Sequence, residues 1–193
     1  ISVPVTELGQ RIGDVFALAP EAVAVEFGQQ RATWGELAQT ADRIEALLVA
    51  AGVDRSAPVG WIARNRPAMV AAFGALVRNG RTVAPLRSNL PPAVFRTELL
   101  AQRLQAVIGD EDDWQGEGAA EAALQAGSAV VAVTGTSPIL ARALPGLERV
   151  GPGPHRPPMP EVVLERMTSG TTGAPKRIPV QADILIPALR SGE

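Results

Sequence analysis

The sequence predicts an α/β fold, a mostly parallel sheet with helices on both faces, and three observations predict it. Strand-like and helix-like segments alternate through most of the chain. Glycines, prolines and capping residues fall at the joints between them, where helix ends need them. The third observation is composition: of 193 residues, 46% are apolar but only 4% aromatic, so the core must be built from Ala, Val, Leu and Ile. That length suffices for one domain with a real interior. The order βαβαβαβ argues for parallel pairing with crossover helices.

The first strand is read at 22–27 (Ala-Val-Ala-Val-Glu-Phe), with a turn at Gly28-Gln29-Gln30 and a returning hairpin arm at 31–34. Thr33-Trp34-Gly35-Glu36 fits a capping box, in which the Thr hydroxyl and the Glu carboxylate satisfy free N–H groups. The helix behind it repeats apolar residues at Leu37, Ala41, Ile44, Leu47, Leu48 and Ala51, and Gly52 sits just past its end. A strand follows at 58–63. Asn65 is read as the cap of the next helix, with Pro67 in its first turn and Gly80 beyond it. Further strands are read at 81–86, 105–109 and 128–134, separated by helices at about 91–103 and 118–126.

The stretch 151–160 holds five prolines and reads as a stiff, extended linker. Beyond it come a strand at 161–167, a loop at 168–175, a second strand at 176–180 and a helix at 182–189. The expected organisation is an N-terminal α/β subdomain over 1–150, a linker over 151–160, and the start of a second subdomain over 161–193.

Composition also excludes. There are no cysteines, so disulfides and thiolate metal sites are out. A single histidine, His155, argues against a histidine metal site or a Ser-His-Asp triad. A net charge of −2 gives no nucleic-acid footprint. No run of 18 apolar residues predicts a membrane span, and a cytoplasmic location is the expectation. The acidic run Asp110-Glu111-Asp112-Asp113 is read as a solvated loop. Thr134-Gly135-Thr136-Ser137 is read as a strand end, and Arg64 and Arg66 as solvated arginines beside a cap.

Chemistry concentrates in Thr168-Ser169-Gly170-Thr171-Thr172-Gly173-Ala174-Pro175-Lys176. Two glycines let the backbone approach an anion. Four hydroxyls, and loop N–H groups able to form a nest, can bind phosphate oxygens. Lys176, the only lysine beside 17 arginines, adds a point charge. The stretch is not the common phosphate loop of strand-to-helix NTPases. Counted from Gly170, Pro175 stands where that motif has a glycine, and Arg177 where it has a Mg²⁺-binding hydroxyl. Pro179 makes the following residues extended rather than helical. Arg177 itself is read as a solvated strand residue, with a second phosphate-facing charge as the alternative.

Ser169 through Lys176 resembles the signature of the adenylate-forming (AMP-binding) superfamily, which includes acyl-CoA synthetases, luciferases and peptide-synthetase adenylation domains. Thr33-Trp34-Gly35-Glu36-Leu37, Asn65-Arg66-Pro67-Ala68 and Val83-Ala84-Pro85-Leu86 are similar to upstream elements of that family. Two departures stand out: the family often has Gly at the position of Arg177, and Thr-His or Ser-His at Gln181 and Ala182.

The resemblance implies a reaction in two halves. A carboxylic acid attacks Mg-ATP to give acyl-AMP, and a thiol of CoA or pantetheine then takes the acyl group. By position, Thr168, Ser169, Gly170, Thr171, Thr172, Gly173 and Lys176 would hold the ATP phosphates; no metal ligands are assigned. The lead expectation is the N-terminal fragment of an acyl-CoA synthetase-type ligase. Its alternatives are an adenylation domain that loads a carrier protein and a non-catalytic nucleotide-binding module. The family's base pocket, ribose contacts and mobile C-terminal lysine lie downstream of its loop. No complete catalytic set is therefore expected here, the missing C-terminal part is the expected partner, and an incomplete domain is expected to self-associate.

Overall fold

The computed structural model describes residues 7–116, 118–135, 137–168 and 176–190, with side chains up to residue 187 in the last helix. An opening helix, α1 (Glu7–Leu18), leads into a hairpin of β1 (Val23–Phe27) and β2 (Gln30–Thr33). Gly28 turns that hairpin at φ 62°, in the left-handed region that glycine enters without strain. The capping box then forms as the sequence predicts. The Glu36 N–H donates to Thr33 Oγ1 at 3.2 Å, and the Thr33 N–H donates to Glu36 Oε2 at 2.9 Å. It starts α2 (Trp34–Ala50), whose stripe Leu37, Ala41, Ile44 and Leu48 is buried.

Next come β3 (Val59–Ala63), α3 (Pro67–Arg78), β4 (Val83–Arg87), α4 (Pro92–Gln102) and β5 (Ala106–Asp110). A 3₁₀ turn (Glu111–Trp114), α5 (Ala119–Ala126), β6 (Ala129–Val133) and a short β7 (Ala141–Ala143) follow. The chain closes with β8 (Val162–Met167), β9 (Arg177–Gln181) and α6 (Ala182–Arg190). The cap of α3 differs from expectation. Pro67 at the first helical position forces extended backbone on its predecessor, so Arg66 (φ −137°, ψ 147°) and not Asn65 is the N-cap, without a side-chain capping bond.

Among the described residues, seven strands form one sheet in the order β7-β6-β5-β3-β4-β8-β9. β6, β5, β3, β4 and β8 run parallel, and β7 and β9 pair antiparallel at the two edges. Alternation along the strands makes two cores. Val59, Ala106, Ile108, Val131 and Val133 pack with α1, α2 and α3, while Ile62, Val107, Val130 and Ala132 pack with α4 and α5. The α/β class with helices on both faces is therefore observed.

The proline-rich stretch has neither helix nor strand, yet it is fastened along its length. The Gly151 N–H donates to Gly127 O at 2.9 Å, the Arg156 N–H to Arg103 O at 2.9 Å, and the Met159 N–H to Ser56 O at 3.0 Å. It delivers the chain to β8, which lies beside β4 in the main sheet.

Candidate nucleotide-phosphate site

In open α/β sheets, ligands sit where the parallel strands end at their carboxyl side, because helix starts and loops converge there. β8 is parallel to β4, so Thr168, next after Met167, emerges on the same edge as the residues after β3, β4, β5 and β6. Its N–H donates to Lys176 O at 2.9 Å, and its Oγ1 accepts the Lys176 N–H at 2.9 Å. These two bonds close the base of the glycine- and threonine-rich stretch and hold its ends together. Lys176 is exposed and Thr168 half-buried. Ser169, Gly170, Thr171, Thr172 and Gly173, the other predicted phosphate-holding residues, lie outside the described residues.

Beneath that base is a group of ionic side chains which the sequence reading passed over. Glu165 of β8, its side chain only 3% exposed, accepts from Arg156 Nη1 and Nη2 at 2.9 and 2.8 Å. Arg177 of β9 donates to the same carboxylate through Nη1 at 3.1 Å. Its Nη2 reaches Pro85 O at 3.3 Å and lies 4.0 Å from Glu98 of α4. Glu98 in turn accepts from Arg87 at 2.7 and 3.2 Å. Arg177 is thus neither a solvated strand residue nor a phosphate-facing charge. Burial pushes its guanidinium below the usual arginine value and Glu165 pulls it back, leaving a cation at any working pH. No local spacing gives this away: in the hairpin Glu165 lies opposite Pro179 and Arg177 opposite Met167, and the other partners come from β4 and α4.

The other weak signals also find partners. Going from β3, the chain places β4 on one side and β5 on the other, so the strand order reverses between β3 and β5. Arg64 and Arg66 leave β3 there, and the acidic run leaves β5. Arg64 Nε donates to Asp113 Oδ1 at 2.7 Å, and Arg66 Nη1 donates to Asp110 Oδ1 and Asp112 Oδ2, both at 2.8 Å. The expectation of solvation holds only in part: Asp112 is exposed and Arg64 and Arg66 are half-buried, but the Asp110 and Asp113 side chains are buried, and Asp110 caps the 3₁₀ turn. Burial pushes the Asp113 carboxyl above the usual aspartate range, against the pull of Arg64. β6 ends at Val133, so Thr134 begins the loop, where its Oγ1 accepts the Leu140 N–H at 3.1 Å. Thr136 lies outside the described residues.

The AMP-binding enzyme family matches residues 14–191, nearly the whole chain. The chain belongs to that family. Pyochelin synthetase PchE of Pseudomonas aeruginosa is 33% identical over 164 residues, which are 85% of this chain and 10% of that protein. The chain thus spans about a tenth of the length of the curated relatives it matches. Among solved structures, apo MatB from Rhodopseudomonas palustris superposes with a TM-score of 0.67 at 20% identity, over 96% of this chain and 36% of that one. The O-succinylbenzoate coenzyme A synthetase MenE from Bacillus subtilis, in complex with AMP, gives 0.63 at 20% identity over 98% of this chain and 45% of that one. At such identities these two structures support the fold. Among the described residues, no helix is long and apolar enough to cross a membrane.

Proposed function

We propose that this family member is the phosphate-gripping part of a ligase that activates a carboxylic acid as acyl-AMP and passes it to a thiol. The observation that carries this reading is the closed base between Thr168 and Lys176 at the carboxyl end of β8. Across such a base, the N–H groups and hydroxyls of Ser169, Gly170, Thr171, Thr172 and Gly173 would grip the β- and γ-phosphates of Mg-ATP. The Mg²⁺ belongs to the substrate. A carboxylate oxygen attacks the α-phosphorus, the bond to the bridging oxygen breaks, and pyrophosphate leaves. Holding that leaving group in place and offsetting its charge is positioning plus electrostatic stabilisation. Lys176, exposed at the loop's end, supplies the positive charge.

For the thiol, the 33% identity to a peptide synthetase favours a carrier-protein pantetheine. The CoA form is the second reading, supported by the fold-level likeness to a coenzyme A synthetase. In this proposal residues 1–150 form the N-terminal subdomain, and 161–193, whose β8 and β9 extend the same sheet, lead into a second one completed by further chain. The 193-residue segment alone should then give no pyrophosphate exchange, and measurable exchange would contradict that. To test the function, the full gene product is incubated with Mg-ATP, a panel of carboxylic acids and hydroxylamine. Hydroxamate should form with a restricted set of acids, and adding CoA or holo carrier protein then separates the two acceptors. ATP cleavage with no acyl product for any acid would sink the proposal.

A further inference from the structure

Arg177 directly follows the loop lysine and begins β9. A residue kept for solubility would point into water. This one has a side chain 14% exposed and meets three elements at once: the Glu165 carboxylate on β8, the Pro85 carbonyl on β4 and the Glu98 carboxylate on α4. It is also bonded in sequence to Lys176, whose N–H and carbonyl form the loop base with Thr168. In the sheet it lies opposite Met167, the residue before Thr168. Every constraint on the position of its guanidinium is therefore a constraint on the start of β9 and on the end of the loop.

The balance of partners makes this more than a fold-holding ion pair. Glu165 already has a two-pronged bond from Arg156, and Glu98 already has Arg87. Removing Arg177 would leave neither carboxylate without a cation. Its own contribution is geometric: it ties the returning strand to the outgoing strand and to the sheet's next neighbour. One Glu98 oxygen, Oε1, is buried with no hydrogen-bond partner among the described residues, and Arg177 Nη2 lies 4.0 Å from it. That carboxylate thus draws the guanidinium towards α4.

We propose that Arg177 is a positioning residue for the Thr168–Lys176 base, holding β9 so that this base is set before ATP arrives. The inference rests on the reading that the loop closed by this base grips ATP. Its effect is to preorganise the base, so losing it should weaken ATP binding and leave the carboxylic acid untouched.

The test uses the full gene product and compares wild type, Arg177→Ala, Arg177→Lys and Ile44→Val. The last variant trims a buried α2 residue remote from the loop, as a control for general loosening. Arg177→Ala should raise the KM for ATP about tenfold, the scale of one lost charge-assisted bond, with the KM for the acid changed less than about twofold. Arg177→Lys should recover part of the loss, since a single ammonium can serve one partner but not the fork. Amide exchange at Thr168 and Lys176 should quicken in Arg177→Ala alone. An unchanged ATP KM in Arg177→Ala, or an equal rise in Ile44→Val, overturns the inference and leaves the function standing. A wild-type enzyme without carboxylate-dependent exchange overturns both.

Discussion

Glu165→Gln tests the packing beneath the loop. The native carboxylate is nearly sealed from water and accepts three charge-assisted bonds, two from Arg156 and one from Arg177, at 2.8 to 3.1 Å. Glutamine keeps the shape but removes the charge, and its amide N–H₂ cannot accept. Two arginine side chains, 16% and 14% exposed, then face a neutral group with at least one donor pointed at them. Removing one partner of a buried ion pair costs about 3–5 kcal/mol. Because both arginines keep some contact with water, and Arg177 keeps Pro85 O and Glu98, the low end applies, about 3 kcal/mol. For a domain of this size each kcal/mol moves Tm by about 2–4 °C, so a fall of about 6–12 °C is expected. Thermal unfolding followed by circular dichroism reads it directly. A fall below about 2 °C would show that the network is wet and weak, as surface pairs are, and would refute the reasoning.

Three further outcomes follow from other parts of the molecule. Thr168→Val removes the oxygen that accepts the Lys176 N–H while keeping the side-chain size; the KM for ATP should rise several-fold and Thr168→Ser should stay near wild type, as steady-state kinetics on the full gene product will show. Gly127→Ala should lower Tm by at least about 4 °C, from a cost of about 2 kcal/mol or more. Its φ is 69° and a Cβ would stand 2.3 Å from Pro152 O, so the proline-rich stretch must lift away; an unchanged melting curve would show that stretch to be undocked. The Ser137 hydroxyl, and secondly the Thr33 N–H, hold the Glu36 carboxyl below its usual range. A depressed carboxylate stabilises the fold above its unfolded value and loses that contribution as pH falls through the folded one. Wild type should therefore lose more Tm between about pH 6 and about pH 3 than Glu36→Gln does, and equal losses would remove Glu36 from the acid response.

The elements that the sequence made legible are those with local chemistry. The Thr33–Glu36 box, the α2 stripe and the Gly28 turn each need only neighbours within a few residues, and each forms as read. Helix α1 was invisible because its support is distant: Phe16 packs against Trp34 at 5.9 Å between ring centres and lies over Gly74. β7 is three residues long and exists because β6 offers it an edge. The same reasoning explains the site. Thr168 and Lys176 could be named from the loop's composition, since glycines, hydroxyls and one lysine suit a phosphate whatever surrounds them. Arg177 could not be read, because what buries it, Pro85 and Glu98, comes from β4 and α4, far back in the chain. Charged residues in particular resist local reading. Arg64, Arg66, Asp110, Asp112 and Asp113 could not be placed locally because their partners are each other across the β3–β5 junction, while Glu111 pairs with Arg142.

The central claim is that the stretch closed by Thr168 and Lys176 grips the phosphates of ATP during acid activation. The most direct test is carboxylate-dependent exchange of labelled pyrophosphate into ATP by the full gene product, wild type against Lys176→Ala. The account predicts exchange in the wild type that requires the acid, and a loss of roughly 10²-fold in the variant, the scale of removing one charge-stabilising donor. Exchange that survives Lys176→Ala undiminished, or a wild type with no acid-dependent exchange, would contradict it.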